Sequence, residues 1–333
     1  SKELIIDPNL IFASFTGSTA DNFGYTATYD DNGALYGGGI AFGIGYPLMG
    51  AFQATFGGGT AMPFGNGFDI SISKFLPNGT GLVYSTFLGG NDNEQPHSLI
   101  TTPSGELIVY GRSFSPNYPM QNPFQNTIGG SSDIVVTKFD ATGGLLVGST
   151  YVGGSGADGL NITTTFAPNS LYQNYGDDAR GEVMIDNQGN VYIASCTQSS
   201  NFPTQNPIQS TFGGGLQDGV IFRLSPNLSA MNWGTYLGGS ANDAAYSVKV
   251  DGNNQVFVAG GTESANFPTV GTVINPNAPG GIDGFITRID PTGTNITAST
   301  FIGTTQNDQS YFLEVDLNDD IYLLDLTLEQ YPV

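Results

Sequence analysis

The 333 residues hold one histidine, His97, and one cysteine, Cys196. That scarcity nearly excludes the common zinc sites and the Ser-His and Cys-His nucleophile systems, which need these side chains in company. His97 sits in QPHSLI and reads as a satisfied or solvent-facing side chain rather than a base. Cys196 sits in VYIASC and reads as a buried, inert thiol on an inner strand. A single cysteine allows no internal disulfide. Carboxylate chemistry remains. Glu182, Glu314 and Lys249 fall in equivalent segments of a repeat and could gather at the centre of a ring, and glycoside hydrolysis requires paired carboxylates. Glu314 and Lys249 hold the same position in neighbouring units, so an ion pair is the simpler account. Asn22, Glu94, Asp158, Asp243 and Asp308 recur five residues past an equivalent glycine or its counterpart. Asp158, Asp243 and Asp308 are thus candidate metal ligands, with calcium the cofactor they would suit. Calcium needs six to eight oxygens, and these loops supply few carboxylates and no D-x-D-x-D-G pattern, so turn capping is the expected role.

The elements that must position these residues repeat. Thr235–Phe267, TYLGGSANDAAYSVKVDGNNQVFVAGGTESANF, has counterparts beginning at Phe15, Thr86, Thr150 and Thr300. A period on this scale determines the whole fold, and residues recurring in every copy are first of all structural. Each unit reads as four strands, a to d. The turns after strand a are YDDNG, TTPSG, IDNQG, VDGNN and VDLND. Asp30, Asp186, Asp251 and Asp316 share one turn position, which Thr102 fills in the second copy; capping of turn amides is their expected work. Strand b covers Ala34–Gly37, Glu106–Tyr110, Asn190–Ala194, Gln255–Ala259 and Asp320–Leu324. It leads to an aromatic-proline step at Tyr46, Tyr118, Phe202, Phe267 and Tyr331, whose ring should pin the loop to its blade. Strand c covers Asp69–Phe75, Asp133–Phe139, Gly219–Leu224 and Gly284–Ile289 with half-buried alternation. Lys74, Lys138, Arg223 and Arg288 share one position there, which predicts a repeated ion pair or carbonyl contact rather than a basic patch.

The N-terminal KELIIDPNLIFASFTGS aligns with a c–d hairpin, and the C-terminal FLEVDLNDDIYLLDL with an a–b pair. Joining them would complete a fifth sheet and remove exposed edges. The expected fold is therefore all-β: a single domain over 1–333, a five-bladed β-propeller of four-stranded antiparallel blades. One spacing breaks the rule. Glycine to turn position is 13 residues in four copies but 33 between Gly153 and Asp186. The extra residues, about Gly159–Gly181, carry Phe166, Tyr172, Tyr175, Asp177, Asp178 and Arg180. They form either a recognition surface near the channel mouth or a lid packed over it.

The units resemble the SBBP repeat, a β-propeller repeat of bacterial surface proteins, in GLVYSTFLGGNDNEQPHSLI, GNVYIASCTQSSNFPTQNPIQSTFGGG and DGFITRIDPTGT. The resemblance covers essentially the whole chain. It implies a large secreted or cell-surface protein, with type IX secretion as the associated export route, and brings no catalytic residues to carry over; that family is named for seven blades rather than five. Lys plus Arg number 8 against 29 Asp plus Glu, a net charge of −21. Such a field disfavours nucleic acid and anionic membranes as partners. No apolar run approaches the roughly 18 residues of a membrane span. No signal peptide opens the chain, so an exported protein would be a mature or trimmed form. The expected function is a non-catalytic, extracellular display or adhesion propeller within a larger polypeptide or assembly. It would recognise a glycan or envelope protein through one end face. The alternatives are a carboxylate-dependent glycoside hydrolase and a structural spacer or filament subunit.

Overall fold

A computed structural model describes residues 10–59, 67–161, 170–174 and 176–327. The fold is an all-β propeller. Four sheets have four antiparallel strands in sequence order: β1 to β4 (Asn22–Tyr29, Leu35–Ala41, Asp69–Phe75, Leu82–Leu88), β5 to β8 (Glu94–Thr101, Leu107–Ser113, Asp133–Phe139, Leu146–Val152), β9 to β12 (Glu182–Ile185, Val191–Thr197, Asp218–Leu224, Met231–Leu237) and β13 to β16 (Asp243–Val250, Val256–Thr262, Asp283–Ile289, Ile296–Ile302). A fifth sheet holds β17 and β18 (Asp308–Val315, Ile321–Thr327). The strands meant to complete it draw on the N-terminus, where residues 1–9 lie outside the described set and 10–21 form no strand. Phe12 nevertheless packs on Gly79 as Tyr84 packs on Gly143 and Trp233 on Gly293. The segment thus takes the place that the fourth strand of a preceding blade holds elsewhere.

The second strands begin one residue later than expected and run about three residues further, to Ala41, Ser113, Thr197, Thr262 and Thr327. The small residues there (Gly37–Gly39, Gly111, Gly260–Gly261) mask strand character in sequence but let the first strand approach closely. The turns obey the expected chemistry. Asp186 Oδ1 accepts the amides of Gln188 and Asn190, both at 2.9 Å, and Asp30, Asp251 and Asp316 do the same. Thr102 substitutes with its hydroxyl, which accepts the Glu106 amide at 3.2 Å. Positive φ falls on Gly33, Gly105, Gly189, Asn254 and Asp319, the residue types that tolerate it.

Buried β-branched and aromatic residues fill the space between adjacent sheets. The aromatic of each described aromatic-proline step is buried: Tyr46, Tyr118, Phe202 and Phe267. Phe267 stacks on Phe285 with centroids 4.2 Å apart. Lys74 pairs with Asp30 at 3.2 Å and Lys138 with Glu106 at 2.8 Å within their blades, Arg288 bonds Thr297 at 2.9 Å, and Arg223 reaches across to the Pro291 carbonyl of the next blade. Cys196 is buried and free, and burial pushes its thiol up to about 12.

Candidate functional site

The first strand of four of the five blades contains an extra residue. In β1, β5, β13 and β17 the register with the next strand skips one position, leaving Tyr25, His97, Tyr246 and Tyr311 without a partner in the ladder. A bulge of this kind bends the strand and re-aims the unpaired side chain. In three blades a glycine stands opposite, Gly39, Gly111 or Gly260, where any Cβ would run into the carbonyl of Phe23, Gln95 or Ala244. In the third blade β9 starts at Glu182, and Gly181 holds the equivalent position with its Cα against the Tyr110 hydroxyl. The four bulge residues and Gly181 converge on a cavity of about 580 Å³, lined also by Arg180, Glu182 and Phe312. That volume suits a small-molecule or oligomer-end site.

Repetition ends at the side chains. His97 is 8% exposed, and among the described residues neither ring nitrogen has a hydrogen-bond partner. Its ring stands edge-on to Tyr110 at 5.0 Å, and Tyr110 donates to Ser195 Oγ at 2.7 Å. Burial, helped by the nearby Arg112 charge, holds the imidazole well below its usual pKa, so it is neutral. This corrects the expectation of a satisfied or solvent-facing histidine. The bulge turns the ring inward until neither nitrogen has accessible surface. A buried polar group without a partner is rare enough to require a reason.

Opposite His97 the insertion supplies the rest. A 3₁₀ turn, Asp177–Ala179, places Arg180 at the cavity. Asp177 is fully buried and accepts from the amides of Gln173 and Asn174, from Arg180 Nε at 2.6 Å and from the Tyr311 hydroxyl at 3.2 Å. The Arg180 guanidinium lies over the Tyr311 ring, 3.7 Å from its centroid. Asp177 thus engages one edge of the fork, and among the described residues the two η nitrogens have no acceptor. Burial and then the Asp177 charge push the Tyr311 hydroxyl up to about 12, so it remains protonated. Tyr246 donates to Gln309 Oε1 at 2.7 Å and is likewise raised by burial.

The insertion residues singled out from sequence divide. Asp177 and Arg180 build one wall of the cavity, while Asp178 leaves it to pair with Arg112 at 2.8 Å. Tyr172 follows the turn at Ser170, whose Oγ accepts its amide. Phe166 and Tyr175 lie outside the described residues. Leu171 is buried among Cys196, Tyr246 and Tyr311, so the insertion packs as a lid and also lines the cavity. Glu182 lines it too, but its carboxylate accepts from Lys249 Nζ at 2.8 Å, the Val248 amide at 2.9 Å and Ser247 Oγ at 2.5 Å. Glu314 is exposed and meets the same Lys249 at 3.6 Å. The ion pair expected from sequence is therefore present, and it occupies the two carboxylates proposed for hydrolysis. Tyr246 and Tyr311 escaped the sequence reading although a signal existed: the column Tyr25, His97, Gly181, Tyr246, Tyr311 directly precedes Thr26, Ser98, Glu182, Ser247, Phe312.

The candidate metal ligands lie elsewhere, at the junctions between blades. Asp158 accepts from the Gly154 amide, Ser199 and Thr197; Asp243 accepts from the Gly239 amide, Ser264 and Thr262; Asp308 accepts from Thr304. Hydrogen-bond donors surround these carboxylates, an environment that caps anions and supplies few oxygens to a cation. Among the described residues no group of three or more His, Cys, Asp or Glu side chains could hold a metal. Each has an acid of the preceding third strand as neighbour across one glycine. Gly89 lies between Asp69 and Glu94, Gly238 between Asp218 and Asp243, and Gly303 between Asp283 and Asp308. Burial, with the facing acid adding, pushes Asp133 up to about 6, Asp218 to about 7 and Asp283 to about 6. Burial alone takes Asp69 to about 7, and burial with Asp69 nearby takes Glu94 to about 8.

No protein-family model matches the sequence, and neither does any curated protein. Solved structures are similar in fold. A protein of unknown function from Dyadobacter fermentans shares 12% identity at a TM-score of 0.46, over 94% of this chain and 76% of its own. An ulvan lyase, a polysaccharide lyase, shares 10% at 0.41, over 96% and 66%. The α-L-arabinanase of Penicillium chrysogenum shares 11% at 0.37, over 94% of each chain. The expectation of a non-catalytic display propeller, and of a protein that is not an enzyme, is corrected by these matches. Among them, those with a stated activity are glycoside hydrolases, a polysaccharide lyase and a sialidase. At 10–12% identity the likeness concerns the fold and assigns no reaction to this chain.

Proposed function

We propose that this propeller is a carbohydrate-active enzyme that cuts a glycan chain seated in the central cavity. One observation carries the reading. At four equivalent bulges the side chain changes from copy to copy, and with the insertion these positions bring a histidine ring, two protonated tyrosines and the Arg180 guanidinium to the wall of a single cavity. A structural core would satisfy the histidine or replace it with an apolar residue. Aromatic rings with a few convergent polar atoms are also the usual lining of a ligand site. Of the matching proteins named above, the ulvan lyase and the arabinanase act on polysaccharides, and that substrate class is the one proposed here. The finer assignments belong with it: a repeat of the SBBP type, and a place of work outside the cell where polysaccharide is found.

The test is an assay for new reducing ends with purified full-length chain on polyuronates, sulfated galactan, xylan and arabinan. Cleavage of at least one is expected, and Arg180→Ala should reduce it by about 100-fold or more, in line with loss of a positioned charged donor. If no polysaccharide in the panel is cut, or if the variant cuts as fast as the parent, the cavity is not the site of such an activity.

A further inference from the structure

The fifth sheet is open where the other four are filled. β2, β6, β10 and β14 each lie between two strands, whereas β18 pairs only with β17 among the described residues. Its side chains show the difference. Ile321, Tyr322 and Leu324 are 45%, 58% and 61% exposed, while Val191, Tyr192 and Ala194, at the same positions of β10, are fully buried. The segment around Phe12 holds the fourth-strand place of this blade. Phe15 follows it and is 96% exposed, although its counterparts Phe87, Tyr151, Tyr236 and Phe301 are buried. A Cβ on Gly89, Gly153, Gly238 or Gly303 would meet the third-strand acid Asp69, Asp133, Asp218 or Asp283, but one on the equivalent Gly17 would meet nothing among the described residues. One strand is wanting, the third.

The four third strands present define its chemistry: DISISKF, DIVVTKF, DGVIFRL and DGFITRI. Asp stands first, Ile or Val fourth, Lys or Arg sixth, and an apolar residue seventh. In the first blade the sixth position lies opposite Tyr36. There Lys74 reaches Asp30 at 3.2 Å and sits over the Tyr36 ring at 4.7 Å, and the Tyr36 hydroxyl donates to the same carboxylate at 3.0 Å. The fifth blade repeats this receptor without its cation. Asp316 accepts the amides of Asn318 and Asp320, as Asp30 accepts those of Asn32 and Ala34, and the Tyr322 hydroxyl donates to it at 3.4 Å. Among the described residues no Lys or Arg pairs with Asp316.

We propose that the fifth blade is a strand acceptor: the β18 edge takes an extended partner strand of the pattern Asp-x-x-Ile/Val-x-Lys/Arg-apolar. Main-chain bonds along the edge supply affinity, and side-chain sites on the sheet faces supply selection. Antiparallel pairing in the register of the other blades sets the partner's Asp opposite Thr327 and its cation opposite Tyr322, within reach of Asp316. A slip of one residue would turn that cation to the other face. The incoming strand covers Leu324 and removes the open edge.

The test titrates the full chain with a fluorescent peptide carrying Asp283–Ile289, DGFITRI, and follows hydrogen exchange along Ile321–Thr327. Saturable binding is expected, with new protection at those β18 amides that do not already bond β17. Arg288→Glu in the peptide should weaken binding by about 10-fold, since charge reversal replaces attraction with repulsion. Asp316→Asn in the protein should weaken it a few-fold, as expected for a partly exposed pair. The peptide variants leave the protein unaltered, so their loss of binding is not a folding effect. Absence of binding, or equal binding by the Arg288→Glu peptide or by a scrambled peptide of the same composition, would overturn the proposal. Edge amides already protected in the dilute free chain would place residues 1–9 in the slot. Protection that grows with protein concentration, together with a dimer in sedimentation, would place a second copy there. Either result would overturn the partner strand.

Discussion

Two regions of this propeller bury ionisable groups, and they differ in kind. At the blade junctions an acid faces an acid across a glycine, at Gly89, Gly238 and Gly303. Every copy is built alike, and its outer carboxylate is capped by amides and hydroxyls. At the central bulges each copy differs: tyrosine, histidine, glycine, tyrosine, tyrosine. The periodic groups serve the same structural role several times over. The aperiodic ones share one cavity, whereas, among the described residues, buried polar atoms without a partner occur in both regions, at Asp69, Asp218 and Asp308 as at His97. Recurrence thus separates architecture from site more sharply than burial or a shifted pKa does, since both regions have those.

The comparison can be broken from its periodic side first. Phe267→Ala removes a fully packed ring from a blade-pinning position and should destabilise the fold by roughly 3–5 kcal/mol in denaturant titration. An effect below about 1 kcal/mol would mean that the loop is held by something else. On the aperiodic side, Arg180→Ala should lower activity by about 100-fold while the melting temperature stays within about 4 °C of the parent. A variant that melts much earlier would return Arg180 to the core.

The junction acids supply a pH signature. Asp69, Asp133, Asp218, Asp283 and Glu94 have folded-state pKa values raised by burial to between about 6 and about 8, above the ordinary 3.8 and 4.5. The folded state therefore favours their protonated forms. Their contribution is complete below about pH 4 and declines as pH rises through 6 to 8. Turn acids act in the opposite sense: at Asp290, burial is outweighed by bonds from Asn295, Thr292 and Thr294, which hold it at about 2. Its contribution is present above 3.8 and lost on acidification toward 2. Melting temperature should peak in mildly acidic buffer and fall toward pH 8. Asp69→Asn should flatten that fall and raise the pH 8 value by about 2 °C or more; a melting temperature that keeps rising to pH 8 would remove the junction acids as protonated pairs. The smallest effect concerns charge. A net −21 repels anionic glycans, so moderate salt should raise kcat/KM on such a chain a few-fold by screening that field. A fall with salt would indicate that local attraction at Arg180 dominates encounter.

Most of the fold was legible from residue columns. The Asp30, Asp186, Asp251 and Asp316 turns, the Lys74 and Lys138 pairs and the buried Tyr118, Phe202 and Phe267 all stand where the repeat places them. Part of the site was legible too, because the 33-residue spacing after Gly153 drew attention to Asp177 and Arg180. His97 was assigned the opposite environment, and Tyr246 and Tyr311 passed unnoticed. An alternating strand places every second residue on one face, and a bulge inserts one residue that obeys neither face, so periodicity gives its direction wrongly.

The amino-acid sequence by itself determined the repeat, its antiparallel strand order and its turn chemistry, since each depends on neighbours a few residues apart. Only the tertiary structure decided which residues meet at the centre. His97, Arg180, Tyr246 and Tyr311 come from four different blades or their connections, separated by up to most of the chain. Their shared burial, the neutral state of the histidine and the free edge of the arginine exist only once the first strands of all five sheets surround one cavity.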